Sequence, residues 1–245
     1  MGIAASIRSS ARRTLFALTP PSRRLALELA IDRAAGRMPE EIRILAHLAR
    51  PASTAVDVGA NRGHYALAMT RCFESVVAIE PNAALTVDLA RCGARNLAIH
   101  HCALSSAAGE AELHIPRYGG EERPGFASLD RNAVAGAKSV RVVKVPVRRL
   151  DDLGLWRVGL IKINAPGHEV AVLEGARKTI ETDRPSVISQ VWPESRVAVE
   201  RALGGAGLVP HLVVNGRLTR MEGGLAGYRG DRVVFVFTAP RGGGA

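Results

Sequence analysis

The chain has 245 residues and a mass of 26.0 kDa, with 47% hydrophobic and 23% charged residues, a balance that suits a folded protein with a sizeable core. Charged residues interrupt every apolar run before the roughly 18 to 20 residues needed to cross a bilayer, which excludes a helical integral membrane protein. Cys72, Cys92 and Cys102 are odd in number and never spaced as CxxC, so a disulfide framework or a cysteine zinc site is not expected.

The formal charge of +10 is spread along the chain, and only 4% of residues are aromatic, which leaves few platforms for stacking bases. It reads as a solubilising charge rather than a nucleic-acid surface. The stretch from Arg8 to Arg24 meets no acid and allows weak contact with a membrane surface or polyanion. The short apolar patch after Arg8, Arg12 and Arg13 is too small for a signal-peptide core, so a cytoplasmic location is expected. The oligomeric state is not legible.

Residues 22–50 carry helical periodicity broken at Gly36 to Pro39, predicting a helical N-terminal extension over residues 1–50. Short apolar runs alternating with helical stretches then predict a parallel sheet domain over 51–239. Strands are expected at Thr54–Val58, Ser75–Ile79, Ala98–Cys102, Leu160–Ile163 and Ser186–Gln190. Helices are expected to begin at His64, Asn82, His168 and Glu194. An insertion with strands at Ala111–Ile115 and Val140–Val147 flanks the Gly- and charge-rich segment Arg117 to Ser139, whose length points to a functional or disordered loop. His211–Val214, the Asn215-Gly216 turn and Arg232–Phe237 predict antiparallel strands at the end, followed by a flexible tail over 240–245.

The strongest local signal is Val56-Asp57-Val58-Gly59-Ala60-Asn61-Arg62-Gly63-His64, a strand ending in an acid, then a glycine-bearing loop entering a helix. Gly59 and Gly63 allow a sharp turn and close approach to a ligand, the loop amides offer a polar cradle, and Asp57 is a candidate acceptor for a ligand ammonium group. GxGxxG is missing, which argues against a dinucleotide enzyme. The next strand ends at Glu80, where an acid can hold two ribose hydroxyls. Together these point to a nucleoside-containing ligand.

In these residues the chain resembles the S-adenosylmethionine-dependent methyltransferases of the FkbM type. The resemblance spans roughly residues 52–192. It adds Ala78-Ile79-Glu80-Pro81-Asn82, Ala103-Leu104-Ser105, Ser128-Leu129, Val145-Pro146-Val147 with Leu150-Asp151, Ile161 through Glu169, and Leu173-Glu174-Gly175-Ala176. It implies an α/β, Rossmann-like seven-stranded methyltransferase fold with antiparallel C-terminal strands, S-adenosyl-L-methionine as cofactor, and O-methylation of a hydroxyl on a small molecule or glycan. It also implies that Asp57, Gly59, Ala60, Asn61 and Gly63 surround the methionine part, that Glu80 holds the ribose with Asn82 nearby, and that Ala103 and Leu104 lie against the adenine.

The acceptor side departs from the family pattern, with Asn164, Pro166 and Gln190 where the family usually has acids or, at residue 166, an acid or glutamine. Amide side chains keep the shape of carboxylates but cannot take a proton. His168 and Glu169 are then the candidate bases, with Asn164 beside them, and helix capping is the alternative role for both. Lys162 reads as an ion-pairing residue beneath the site. Arg117 to Ser139 and Trp192-Pro193 are expected to shape the acceptor pocket. Two other readings stand beside this one. The first is a cofactor-binding protein of the same fold with impaired catalysis; the second is an amino-group methyltransferase using Asn164-Ala165-Pro166-Gly167. The histidines show no ligand spacing, and no metal is expected.

Overall fold

The computed structural model describes residues 15–230 and 233–240. Arg8, Arg12 and Arg13, the predicted strand residue Arg232 and the tail from Arg241 lie outside the described residues.

The core is a sheet of eight strands: β1 (Thr54–Val58), β2 (Ser75–Ile79), β3 (Leu97–His100), β8 (Val158–Ile163), β9 (Ser186–Gln190), β10 (Val209–Val214), β11 (Arg217–Arg220) and β12 (Val234–Thr238). Their order is β11-β10-β12-β9-β8-β1-β2-β3. β1 pairs in parallel with both β2 and β8, so the chain winds in opposite directions from this point. A crevice opens beyond the strand ends at such a reversal. Val58 is in register with Ile163, which brings the residues that follow, Gly59 and Asn164, face to face.

The central strands are buried on both faces, which explains their largely apolar sequences, and their charged members, Asp57 and Lys162, pair with each other. On one face, Ala55, Val76, Ala78 and Leu160 form a core with α1 (Pro21–Ala34), α2 (Glu40–Arg43), α3 (Leu45–Leu48) and α4 (His64–Met69) through Leu25, Ile44, Leu45 and Met69. The N-terminal helices thus cover the sheet itself. A short α5 (Val87–Ala90) follows β2. On the other face Val56, Ile161, Val187 and Phe235 bury Val172, Ile180 and Leu203 from α6 (Glu169–Gly175), α7 (Arg177–Asp183) and α8 (Arg196–Gly205).

Several boundaries differ from expectation. The third strand ends at His100, and Ala103–Leu104 instead begins a second sheet as β4, paired with β7 (Ser139–Arg148). β7 also pairs along its length with β5 (Gly109–Tyr118), and β6 (Glu121–Glu122) completes that sheet. The first insertion strand is therefore twice as long as its apolar pattern suggested, ten residues against five, because much of the hairpin is solvated, while the second extends the expected Val140–Val147 by one residue at each end. The segment between them is ordered by two 3-10 turns, Pro124–Phe126 and Arg131–Val134, and by mutual backbone bonds between His114 and Ser128. The helix expected from Asn82 reduces to α5. One strand beyond the seven implied by the resemblance is added by the Asn215-Gly216 turn. Both residues adopt positive φ, 52° and 73°, and return the chain as the arginine-bearing edge strand β11. Among the described residues no helix is long and apolar enough to cross a membrane.

Because Ile44 is 2% exposed in the core shared by sheet and extension, Ile44→Ala is expected to cost about 2–5 kcal/mol. Urea denaturation checks this. An unchanged midpoint for the main transition would contradict a shared core.

Candidate functional site

The site lies at the reversal between β1 and β8. Gly59 has φ +70°, and a Cβ there would sit 2.0 Å from the Asn164 carbonyl oxygen, so only glycine permits this approach. The amides of Gly59 and Ala60 both donate to the Ile79 carbonyl, at 2.9 and 3.0 Å. Asn61 adopts φ 51°, and Gly63, at φ +90°, leads into α4 where a side chain would collide with Leu89. These constraints fold the loop back over β2.

Glu80 ties the loop to the next turn. Its Oε2 accepts the amide of Asn61 and its Oε1 that of Asn82, each at 2.9 Å. Burial pushes its pKa up, while the two amides and the Lys162 charge work in the opposite direction. Asn82 accepts the amide of Ala84 through Oδ1, making a local turn.

Two cavities meet at this loop. The first is lined by Val58, Gly59, Ile79, Glu80, Pro81, Cys102, Ala103, Leu104, Asn164, Ala165 and His168. The insertion closes it with Leu113, Pro124, Ala127, Ser128 and Leu129. The second lies between the N-terminal helices and the loop, walled by Gly59, Ala60, Asn61, Arg62, His64, Tyr65, Lys162 and Asn164. Leu29, Asp32, Met38, Pro39 and Ile42 close it from the extension. Gly59 and Asn164 belong to both walls.

Asp57 and Glu169 are placed away from these walls. Asp57 is 0% exposed, and its Oδ1 lies 2.9 Å from Lys162 Nζ, close enough for an ion pair though not aligned as a hydrogen bond. Its Oδ2 has no hydrogen-bond partner. Lys162 also donates to the Gly59 carbonyl at 3.0 Å and stands 5.0 Å from the centre of the Tyr65 ring. Asp57 is thus engaged inside the protein rather than presented to a ligand ammonium group. Glu169, at the start of α6, is 1% exposed, and neither carboxylate oxygen has a hydrogen-bond partner. Burial raises its pKa to about 7, helped by nearby Asp130 and opposed by the amides of Gly167 and Glu169, whose contacts fall short of hydrogen-bond geometry. Gly63 and Asn82 support the loop without lining either cavity.

His168 does face the first cavity. Its Nε2 lies 3.0 Å from Ser105 Oγ, and burial lowers its pKa despite Asp130, which favours the neutral ring at neutral pH. Of the three substituted acid positions, only Asn164 reaches the cavities, and its side chain is exposed; Pro166 and Gln190 stand outside both walls. Trp192 is exposed and likewise outside them.

Sequence reading missed two sets of contacts. Ser128 Oγ donates to the Pro166 carbonyl at 2.6 Å and accepts the Asp130 amide at 2.9 Å, clamping the insertion onto the loop after β8. Ser105 orients His168 from the start of the second sheet. Neither partner is near in sequence, and the Ser128-Leu129 match was the only trace of the first.

A carboxylic acid favoured in the folded state by burial lends stability below its unfolded pKa, and that stability is lost as pH rises through the folded value. Between about pH 4.5 and 7, the native protein is therefore expected to lose stability relative to Glu169→Gln. Thermal melts across that range check it. Parallel curves would contradict the buried, raised carboxyl.

The FkbM methyltransferase domain family matches residues 57–202, more than half of the chain. No curated protein matches the chain in sequence. A methyltransferase FkbM from Methylobacillus flagellatus KT has a similar structure, with TM-score 0.52 and 14% identity over 96% of this chain and 60% of its own. This chain thus spans 60% of the length of that relative. A TehB-like SAM-dependent methyltransferase from Corynebacterium glutamicum aligns with TM-score 0.47 and 12% identity, covering 89% of this chain and 97% of its own. A precorrin-6y C5,15-methyltransferase from Geobacter metallireducens aligns with TM-score 0.43 and 11% identity over 80% and 85%. With its glycine loop, Glu80 and fourth-strand segment inside the matched region, the chain belongs to the FkbM methyltransferase family.

Proposed function

We propose that the protein binds S-adenosyl-L-methionine and transfers its methyl group to a hydroxyl oxygen on a small molecule or glycan. The observation that carries this reading is the first cavity, which gathers the glycine loop, the acid after β2 and the apolar pair Ala103-Leu104 on one wall. The absent side chain at Gly59 and the half-occupied carboxylate of Glu80 fit a nucleoside ligand. Each Glu80 oxygen takes one amide and keeps a lone pair for a ribose hydroxyl. Ala103, Leu104 and Ile79 offer a flat apolar surface to a purine.

The cofactor supplies an activated methyl group on a sulfonium. The chain must then align an acceptor oxygen and take its proton. Asn164, on both walls, is suited to hold a hydroxyl through its amide but not to deprotonate it. His168 is suited to receive the proton, being neutral, inside the cavity and oriented by Ser105. Glu169 is enclosed and stands outside both cavity walls, which leaves it out of reach of an acceptor there. The ordered insertion, through Pro124, Ala127 and Ser128, supports a role in selecting the acceptor.

Calorimetric titration tests the reading. S-adenosylhomocysteine is expected to bind with micromolar affinity, NADH not at all, and Glu80→Ala to weaken binding at least about tenfold by removing two hydroxyl contacts. No binding by folded native protein would overturn the cofactor assignment. With a hydroxylated acceptor identified, His168→Asn is expected to lower kcat about a hundredfold or more while leaving S-adenosylhomocysteine affinity unchanged. Full turnover by that variant would remove His168 as the proton acceptor, and binding without any turnover by the native protein would leave a cofactor-binding protein.

A further inference from the structure

We propose, resting on the cofactor reading above, that the N-terminal helices complete the cofactor site. The second cavity takes the amino-acid end of the cofactor, and Asp32 of α1 is the counter-charge of its ammonium group.

The features suited to adenosine, Glu80, Ala103 and Leu104, all lie on the first cavity. An extended ligand anchored there leaves it across Gly59 and Asn164, the residues common to both walls, and enters the second cavity. The acid that the glycine-loop motif offers for an ammonium group, Asp57, is 0% exposed, paired with Lys162 and absent from either wall. Among the residues lining the second cavity, Asp32 is the one carboxylate. Arg37 donates from Nε and Nη2 to its Oδ1, at 3.1 and 2.7 Å, and among the described residues none donates a hydrogen bond to its Oδ2. The side chain is 26% exposed, so the free oxygen is accessible without being fully screened.

The same wall carries the Arg62 guanidinium, 45% exposed and flanked by Glu28 at 3.0 Å and Asp88 at 3.8 Å, with its exposed side turned to solvent. A carboxylate and a guanidinium on one cavity wall match the two charges of an amino-acid zwitterion. Met38 and Ile42 give its methylene chain an apolar surface. A purely apolar or uniformly charged cavity would offer no such match. By this arrangement the extension is a part of the binding machinery, and the protein distinguishes the intact cofactor from nucleosides that lack the amino acid.

Calorimetry with S-adenosylhomocysteine and with 5′-methylthioadenosine, which keeps the adenosine and sulfur but has no amino-acid end, tests this. Asp32→Asn is expected to weaken S-adenosylhomocysteine about ten- to a hundredfold and to leave methylthioadenosine unchanged. Ile42→Trp, which fills the cavity, is expected to give the same pattern. Methylthioadenosine binding in each variant also reports that the fold is intact. The inference is overturned if both variants bind S-adenosylhomocysteine within about twofold of the native protein, or if both ligands weaken equally. A native protein that binds the two ligands equally well overturns it too, while leaving the cofactor reading in place. A native protein that binds neither overturns the cofactor reading itself, and the inference falls with it.

Discussion

The site depends on one close approach, that of the Gly59 backbone to the carbonyl of Asn164 at the ends of β1 and β8. A Cβ at residue 59 would stand 2.0 Å from that oxygen, so this is a contact between two main chains. It is held from below by Lys162, which pairs with Asp57 and donates to the Gly59 carbonyl at 3.0 Å. A buried ion pair of this kind is weak evidence of net stability, because desolvation offsets much of the attraction. Its value is geometric: removing either partner would leave an uncompensated charge in the core, so the loop is committed to one shape. Both cavities are consequences of that shape.

Three segments far apart in sequence converge on this point. The extension approaches through Tyr65 Oη, which donates to Glu41 Oε2 at 3.4 Å, while the Tyr65 ring faces Lys162. The insertion approaches through Ser128, bonded to the carbonyl of Pro166, and through Gly125, whose carbonyl lies 3.5 Å from Asn61 Nδ2. Proline at 166 is compatible with this clamp because Ser128 uses its carbonyl and not the missing N–H. The substituted acceptor side is thus a packed arrangement with its own contacts. The buried Glu169, whose carboxyl is held in its neutral form chiefly by burial and also by nearby Asp130, stands behind the same loop.

Much of the sheet was legible because its signals are local. Val56 to Val58 and Leu160 to Ile163 are buried on both faces and read as strands that are apolar but for one charge each; the Asn215-Gly216 turn adopts positive φ at both residues and announces its hairpin. The glycine loop and Glu80 were legible for the same reason, being fixed by backbone conformation within a few residues. What stayed hidden is set by partners distant in sequence. That Asp57 is buried against Lys162 depends on the β1–β8 register, and that Ala103-Leu104 starts a second sheet depends on β7. Asp32 carries no motif at all; only the packing of α1 over the loop brings it to the cavity. His168 and Glu169 are adjacent in sequence, yet one faces the cavity and the other the interior, a distinction set by the entry into α6.

The central claim is that one ligand lies across Gly59 and Asn164 with its ends in different cavities. A crystal structure of the protein with S-adenosylhomocysteine tests it most directly. Ribose hydroxyls are expected at Glu80, adenine against Ala103 and Leu104, and the amino-acid end between Asn61 and Asp32. A ligand confined to the first cavity, with its ammonium group remote from Asp32, would contradict it.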